Sequence, residues 1–226
     1  MIKVFLSPSN QDANTWCKGN TNEEREAVQF ANDIAAKLSY YKICVVRADG
    51  VEPFKRYQYA RGCAAYIPLH TNAFNGEVRG NRLFILKAQN AQYSQSLLLA
   101  SAIKAEFDKI GHTEKSRVYT DFARWNELAN AAAIGVPCVY SETVFHDCPE
   151  DVDFYRTNYA KLVDAYGRAI AFWCGVDVDA KPEPQTGKTF FRIIAGAFSD
   201  YDRAKSRLED VKKIEPNAYI QSVKGE

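Results

Sequence analysis

Tyr66-Ile67-Pro68-Leu69-His70-Thr71-Asn72-Ala73 is a short apolar run that ends on a histidine. It reads as a buried strand. Such a strand presents its imidazole at the carboxyl end, where open α/β sheets gather their ligands. His70 is one of only 3 histidines in the chain, and its setting is the least surface-like of them. A histidine so placed serves either as a packed, hydrogen-bonded residue or as a metal ligand. The segments on either side of it decide which.

Upstream, residues 3–7 alternate weakly and stop at Ser7-Pro8-Ser9-Asn10-Gln11-Asp12, a polar loop rich in turn formers. Asn20-Thr21-Asn22-Glu23 predicts a helix start, with capping residues ahead of acidic ones. Ala27, Phe30, Ala31, Ile34 and Leu38 then follow at helical spacing. Ile43-Cys44-Val45-Val46 predicts a buried strand, and a β-loop-helix-β opening suggests a parallel sheet.

Downstream, residues 48–62 read as a loop and a short helix, and Asn75-Gly76 as a turn. Leu83-Phe84-Ile85-Leu86 predicts another strand. Residues 91–110 predict a helix with Leu97, Leu98, Ile103 and Phe107 inward, closed by Gly111. Residues 116–130 are mixed. Pro137-Cys138-Val139-Tyr140-Ser141-Glu142 is a further strand that ends on a carboxylate. Tyr155, Tyr159, Leu162, Val163, Tyr166, Ile170 and Trp173 mark a long helix with a core-facing stripe. Together, residues 1–175 predict a three-layer α/β domain with a mainly parallel sheet between helices.

Residues 176–188 have linker composition, dominated by Asp, Lys, Pro, Glu and Gln. Residues 189–226 then read as a small βαβ unit: Phe190 to Phe198 as a strand, a helix carrying Ala204, Leu208 and Val211, and Ala218 to Val223 as a second strand. So few residues rarely build a free-standing core, so the unit is expected to dock on something.

The formal net charge of the 226-residue chain is +1, and its basic residues form no stripe, so nucleic acid is disfavoured. No apolar run approaches the ~20 residues needed to span a bilayer. The opening Met1-Ile2-Lys3-Val4-Phe5-Leu6 reads as a strand and not as a secretory leader. Synthesis in the cytoplasm, with any work outside following lysis or another exit route, is the expectation. The 6 cysteines show no CxxC or zinc-finger spacing and read as free thiols in a reduced compartment.

Polar groups expected at the carboxyl ends of strands are the loop leading to Glu23, His70 and Glu142. Glutamate plus histidine suits a zinc site, and a second carboxylate beside it can carry the proton of an attacking water. At this point the order of segments resembles the zinc-dependent N-acetylmuramoyl-L-alanine amidases of bacterial cell-wall hydrolases and phage endolysins. The resemblance covers about residues 2–175. It rests on the first strand and its loop, Gly19 to Glu23, Leu69-His70-Thr71-Asn72-Ala73, and Val139-Tyr140-Ser141-Glu142 with Phe145-His146-Asp147 behind it.

The resemblance implies that Glu23 and His70 bind Zn2+ and that Glu142 is the general base, with peptidoglycan as substrate. Glu24 competes with Glu23, which fits the helix spacing better. The family's third ligand is a histidine after the first strand. Here the loop reads Ser7-Pro8-Ser9-Asn10-Gln11, so Gln11 is the candidate replacement and Asn10 the strictly positional one. An amide oxygen is a weaker zinc donor than imidazole. Asn72 and His146 are candidate substrate-binding residues, His146 also being able to assist the metal. The Trp125-Asn126-Glu127 triple is a candidate cleft lining, and His112 reads as exposed.

The tail resembles one half of a sporulation-related repeat, whose paired form binds peptidoglycan. The resemblance rests on Ile193, Ala195, Gly196, Ala197, Phe198, Ala204, Leu208, Ala218, Tyr219 and Val223. Having a single half implies a homodimer through the tails. The missing histidine also keeps open a rival reading, a non-catalytic wall-binding or scaffold protein with a relict site.

Overall fold

Alternation along β3 (Ala65–Asn72) sorts the chain into layers. The structure, a computed structural model, describes residues 1–111, 116–122 (the Phe122 side chain excepted) and 126–179. β3 lies inside a six-stranded sheet whose order is β2 (Cys44–Val46), β1 (Lys3–Pro8), β3, β6 (Tyr140–Phe145), β4 (Arg82–Leu86), β5 (Arg117–Phe122). The helices are α1 (Glu23–Tyr40), α2 (Pro53–Arg56) followed by a 3-10 turn (Tyr57–Ala60), α3 (Tyr93–Ile110), α4 (Asn126–Ala133) and α5 (Pro149–Trp173).

Successive side chains of a strand point to opposite faces. Val4 and Leu6 of β1, with Ile67 and Leu69 of β3, therefore join Phe30, Ile34, Leu38, Ile103, Phe107, Tyr155, Tyr166 and Ile170 in the larger core, under α1, α3 and α5. Phe5, Tyr66, Phe84 and Tyr140 face the other way, onto Leu128 and Ala131 of α4. This is the expected three-layer α/β fold.

The sheet is mainly parallel. Strand pairs β1–β2, β1–β3, β3–β6 and β4–β5 are parallel, while β4 runs antiparallel to β6. The reason is local: a parallel return needs a long crossover, usually a helix, and the 73–81 connection from β3 to β4 contains none. Between the His70–Glu142 and Asn72–Phe145 pairs the register of β3 and β6 shifts, with β6 the longer side. A bulge of this kind re-aims side chains and is common beside active sites.

Several expectations need correction. Ile43–Val46 was expected to be a buried strand; β2 is only half-buried because it is the sheet edge. Leu98 points outward at 58% exposure, while Leu99, Ile103 and Phe107, four apart, form the buried stripe. The mixed segment 116–130 holds β5 and the start of α4. Glu142 sits inside its strand, which continues to Phe145, and β3 likewise continues past His70 to Asn72.

Gly111 closes α3 in the left-handed conformation, as expected. Among the described residues no helix is long and apolar enough to cross a membrane. His112, Trp125, the linker from Ala180 onward and the 189–226 unit lie outside the described residues.

Phe30 packs its ring against Tyr155, Tyr159 and Tyr166 and is 2% exposed. Phe30→Ala is expected to lower the unfolding free energy by about 3–5 kcal/mol, measured by urea denaturation. A loss well under about 1 kcal/mol would mean that this ring does not tie α1 to α5.

Candidate functional site

Helix α1 begins where the sequence signals it. Asn22 is the N-cap, its side chain accepting from the Arg25 N–H at 3.0 Å. Glu23, the first helical residue, is fully buried, and its N–H donates to the Asn14 carbonyl at 2.9 Å. A carboxylate at this position is favoured by the partial positive charge of the helix start. Glu24 is only half-buried, whereas Glu23 is the one of the two neighbouring glutamates that lies against His70.

The chain leaving β1 stays alongside β3 for one more residue, the Ser9 N–H donating to the Leu69 carbonyl at 2.8 Å. The Gln11 N–H then donates to Ser9 Oγ at 3.2 Å. Asn10 and Gln11 are both exposed, but the Gln11 side chain reaches Glu23 and His70. Gln11 Nε2 lies 3.2 Å from His70 Nδ1 and 3.4 Å from Glu23 Oε1. His70 Nδ1 and Glu23 Oε1 are 2.8 Å apart. Asn14 Nδ2 ties the group together, donating to Glu23 Oε2 at 2.7 Å and to Gln11 Oε1 at 3.1 Å.

His70 is 5% exposed, and its ring stacks on Tyr140 at 4.5 Å between centroids. On its far side, Nε2 lies 3.5 Å from Glu127 Oε2, an ion-pair distance too long for a good hydrogen bond. Glu127 Oε1 accepts from Ser7 Oγ at 2.9 Å and from the Tyr66 hydroxyl at 2.6 Å. Sequence reasoning placed Glu127 only in a cleft wall and gave it no role. The available signal was a lone carboxylate on a helix that otherwise buries Leu128 and Ala131.

Glu142 is the Cα partner of His70 across the parallel β3–β6 pair, so both side chains project to the same face. Glu142 is buried, and its Oε2 has no hydrogen-bond partner among the described residues. Asn72 lies beyond the register shift and uses its side-chain oxygen to accept from the Ala73 N–H at 2.8 Å. His146 is buried, with Nδ1 2.9 Å from Thr71 Oγ1 and its N–H donating to the Asn72 carbonyl at 2.8 Å. Thr71 follows His70 and faces away from it, so these contacts tie β3 to the end of β6.

The electrostatics follow from this crowding. Burial alone would push the Glu23 carboxyl up, but the hydrogen bond and charge of His70, with Asn14, hold it below the usual range. Glu127 behaves alike: burial raises it, and His70, Tyr66 and Ser7 bring it down. Burial would lower His70, but Glu127, Glu23 and the charge of Glu142 raise it to about 9. Glu142 is pushed up to about 7 by burial, with His70 lowering it and Glu23 raising it. Burial also pushes the thiols of Cys63 and Cys138 up, so neither is an activated nucleophile.

The residues present fit a cation. Among the described residues no set of three His, Cys, Asp or Glu side chains converges, and the Gln11 amide is the further side chain that touches both His70 and Glu23. Donors on a tetrahedral zinc at about 2.0–2.2 Å lie about 3.2–3.6 Å from one another. The 2.8, 3.2 and 3.4 Å spacings of His70, Glu23 and Gln11 open to that by about half an ångström at the tightest edge. A half-turn of the Gln11 amide presents oxygen in place of nitrogen.

Comparison with known proteins gives this arrangement its family. The chain is similar in fold to the N-acetylmuramoyl-L-alanine amidase AmiC2 of Nostoc punctiforme, at 20% identity and a TM-score of 0.62, covering 77% of this chain and 97% of that one. An N-acetylmuramoyl-L-alanine amidase from Clostridium difficile 630 matches at 20% identity and a TM-score of 0.63, over the same 77% and 97%. The CwlD amidase from Clostridioides difficile, solved in complex with the GerS lipoprotein, matches at 14% identity and a TM-score of 0.65, covering 78% of this chain and 100% of that one. No curated protein sequence is similar enough to the chain to count as a match. The model of the Amidase_3 family, described as N-acetylmuramoyl-L-alanine amidase, matches residues 9–171. That span holds Gln11, Glu23, His70, Glu127 and Glu142, and the chain belongs to the Amidase_3 family of N-acetylmuramoyl-L-alanine amidases.

Proposed function

We propose that this chain hydrolyses the amide between the lactyl group of N-acetylmuramic acid and L-alanine in peptidoglycan. Family membership supports the amidase reaction and its cell-wall substrate. The observation that carries the assignment of roles is the unpartnered Oε2 of buried Glu142, level with His70 and beside Glu23 and Gln11.

Glu23, His70 and Gln11 are the residues that would hold the zinc on which the family generally depends. A bound zinc polarises a carbonyl and acidifies a water. Glu142 takes the proton as the water oxygen bonds to the lactyl carbonyl carbon. It returns that proton to the L-alanine nitrogen as the carbon–nitrogen bond breaks. Tyr140, stacked on the ring, restricts His70 to movement within the ring plane. Asn72, beyond the register shift, is the candidate for the rim on which the substrate rests, whereas His146 is buried against Thr71, which faces away from His70, and supports that strand end from behind.

The proposed place of work is the cell wall, as for an endolysin or autolysin. The segment 189–226 is proposed, on its likeness to half of a sporulation-related repeat, to bind the wall and to pair two chains. The segment 176–188 would join it to the amidase domain.

Glu142→Gln is expected to fold normally, retain zinc, and clear cell-wall suspensions about 10²–10⁴-fold more slowly than wild type. Clearing at the wild-type rate would remove Glu142 from the reaction. Elemental analysis should find stoichiometric zinc in wild type, and a chelator should abolish clearing until zinc is restored. Gln11→His should tighten the metal in the same titration, and Gln11→Ala should loosen it. Protein that carries no zinc and clears nothing, yet still sediments with walls, would favour the scaffold reading. Light scattering should find the full chain dimeric and a chain ending at Gly175 monomeric; a dimer that survives truncation would refute pairing through the tail.

A further inference from the structure

We infer that Glu127 is a positioning residue that accepts the His70 Nε2 proton and so keeps Nδ1 free for the ion, an inference that rests on the metal-site reading above. A ligating imidazole is neutral, with its remaining proton on the nitrogen turned away from the metal. Which nitrogen that is depends on the partner beyond the ring. Here Nδ1 faces Glu23 Oε1 and the Gln11 amide, and Nε2 faces Glu127 Oε2.

Glu127 is held so that only one of its oxygens is left for this task. Oε1 is taken by Ser7 Oγ at 2.9 Å and by the Tyr66 hydroxyl at 2.6 Å. Oε2 stands 3.5 Å from the buried Nε2, which has no hydrogen bond of its own. Behind Ser7 lies Arg56, almost fully buried, donating from Nη1 to Ser7 Oγ at 3.3 Å and to the Pro8 carbonyl at 2.6 Å. Its Nε and Nη2 are anchored on the carbonyls of Val51 at 2.6 Å and Asp49 at 3.2 Å. A line of donors therefore runs from Arg56 through Ser7 to Glu127, and fixes the carboxylate from behind.

The ring has little freedom to choose otherwise. It is stacked on Tyr140 with 19° between planes, so rotation within that plane is the movement left to it. Opening the Nδ1 side to admit an ion moves Nε2 toward Glu127. Closing 3.5 Å to a charge-assisted hydrogen bond of about 2.7–2.9 Å takes under an ångström. Loading the metal and forming the second hydrogen bond are then the same small motion.

The experiment uses the full chain and zinc itself. Zinc affinity is measured by chelator competition for wild type, Glu127→Gln, Tyr66→Phe and Glu23→Gln. Nitrogen-15 NMR of the zinc-loaded wild type reports which His70 ring nitrogen carries the proton. The inference expects the proton on Nε2, zinc bound about 10–100-fold more weakly by Glu127→Gln, and a smaller loss for Tyr66→Phe. Glu23→Gln should lose zinc altogether.

A proton on Nδ1 in the loaded wild type, or an affinity within about twofold of wild type for Glu127→Gln, overturns the inference. The NMR arm needs no variant and holds even if a substitution fails to fold. Zinc retained by Glu23→Gln but abolished by Glu127→Gln would make Glu127 a ligand, and overturns it too. Wild type that binds no zinc at all overturns the metal reading as well, which separates the two failures.

Discussion

A buried imidazole standing 2.8 Å from one carboxylate and 3.5 Å from another is the constraint around which this domain is built. Isolated charges in a protein interior are prohibitively costly, so each must be paired and its remaining lone pairs satisfied. Asn14 serves Glu23; Ser7 and Tyr66 serve Glu127; Arg56 backs Ser7. Glu142 is the exception, with one oxygen left unserved and its carboxyl pushed up to about 7 by burial. The neighbouring carboxylates are held by donors on both sides, and the unserved oxygen of Glu142 is the observation on which its proposed role as proton carrier rests.

The same sheet performs separate tasks on its faces. Under α1, α3 and α5, side chains of β1 and β3 such as Leu6, Ile67 and Leu69 are apolar and supply the burial that stabilises the domain. On the α4 side the strands start apolar at Phe5, Tyr66 and Tyr140 and turn polar toward their carboxyl ends at Ser7, His70 and Glu142. The charged cluster is thus assembled on strands already locked by the opposite core. The cost of crowding its charges is met by contacts that do not involve them. The shift in β3–β6 register just past His70 and Glu142 ends the regular pairing there and lets the following chain diverge around the site.

Much of this was readable in the residues. The period of Ala27, Phe30, Ile34 and Leu38 and the capping residues within Asn20 to Asn22 located α1 and its start, and the structure selects Asn22 as the cap. His70 and Glu142 were identified on strands that prove to be adjacent and in register. Misreadings arose where local pattern does not contain the answer. Leu98 looks as apolar as Leu99, and only packing on the sheet decides which of them turns inward. Ile43 to Val46 reads as a core strand, but its place at the edge is a property of sheet order.

Periodicity, capping and turn chemistry act over a few residues, so the elements, the layered α/β class and the candidacy of Glu23, His70 and Glu142 could be read from the chain alone. That the Gln11 side chain reaches Glu23 and His70 depends on how the loop after β1 turns beside β3. Glu127 was beyond reach for a stronger reason: it meets Ser7 across 120 residues of chain and Tyr66 across 61. A buried carboxylate acquires its meaning from the partners that surround it; Leu128 and Ala131 beside Glu127 mark a buried helix face, but the packing of α4 against the sheet chooses the partners.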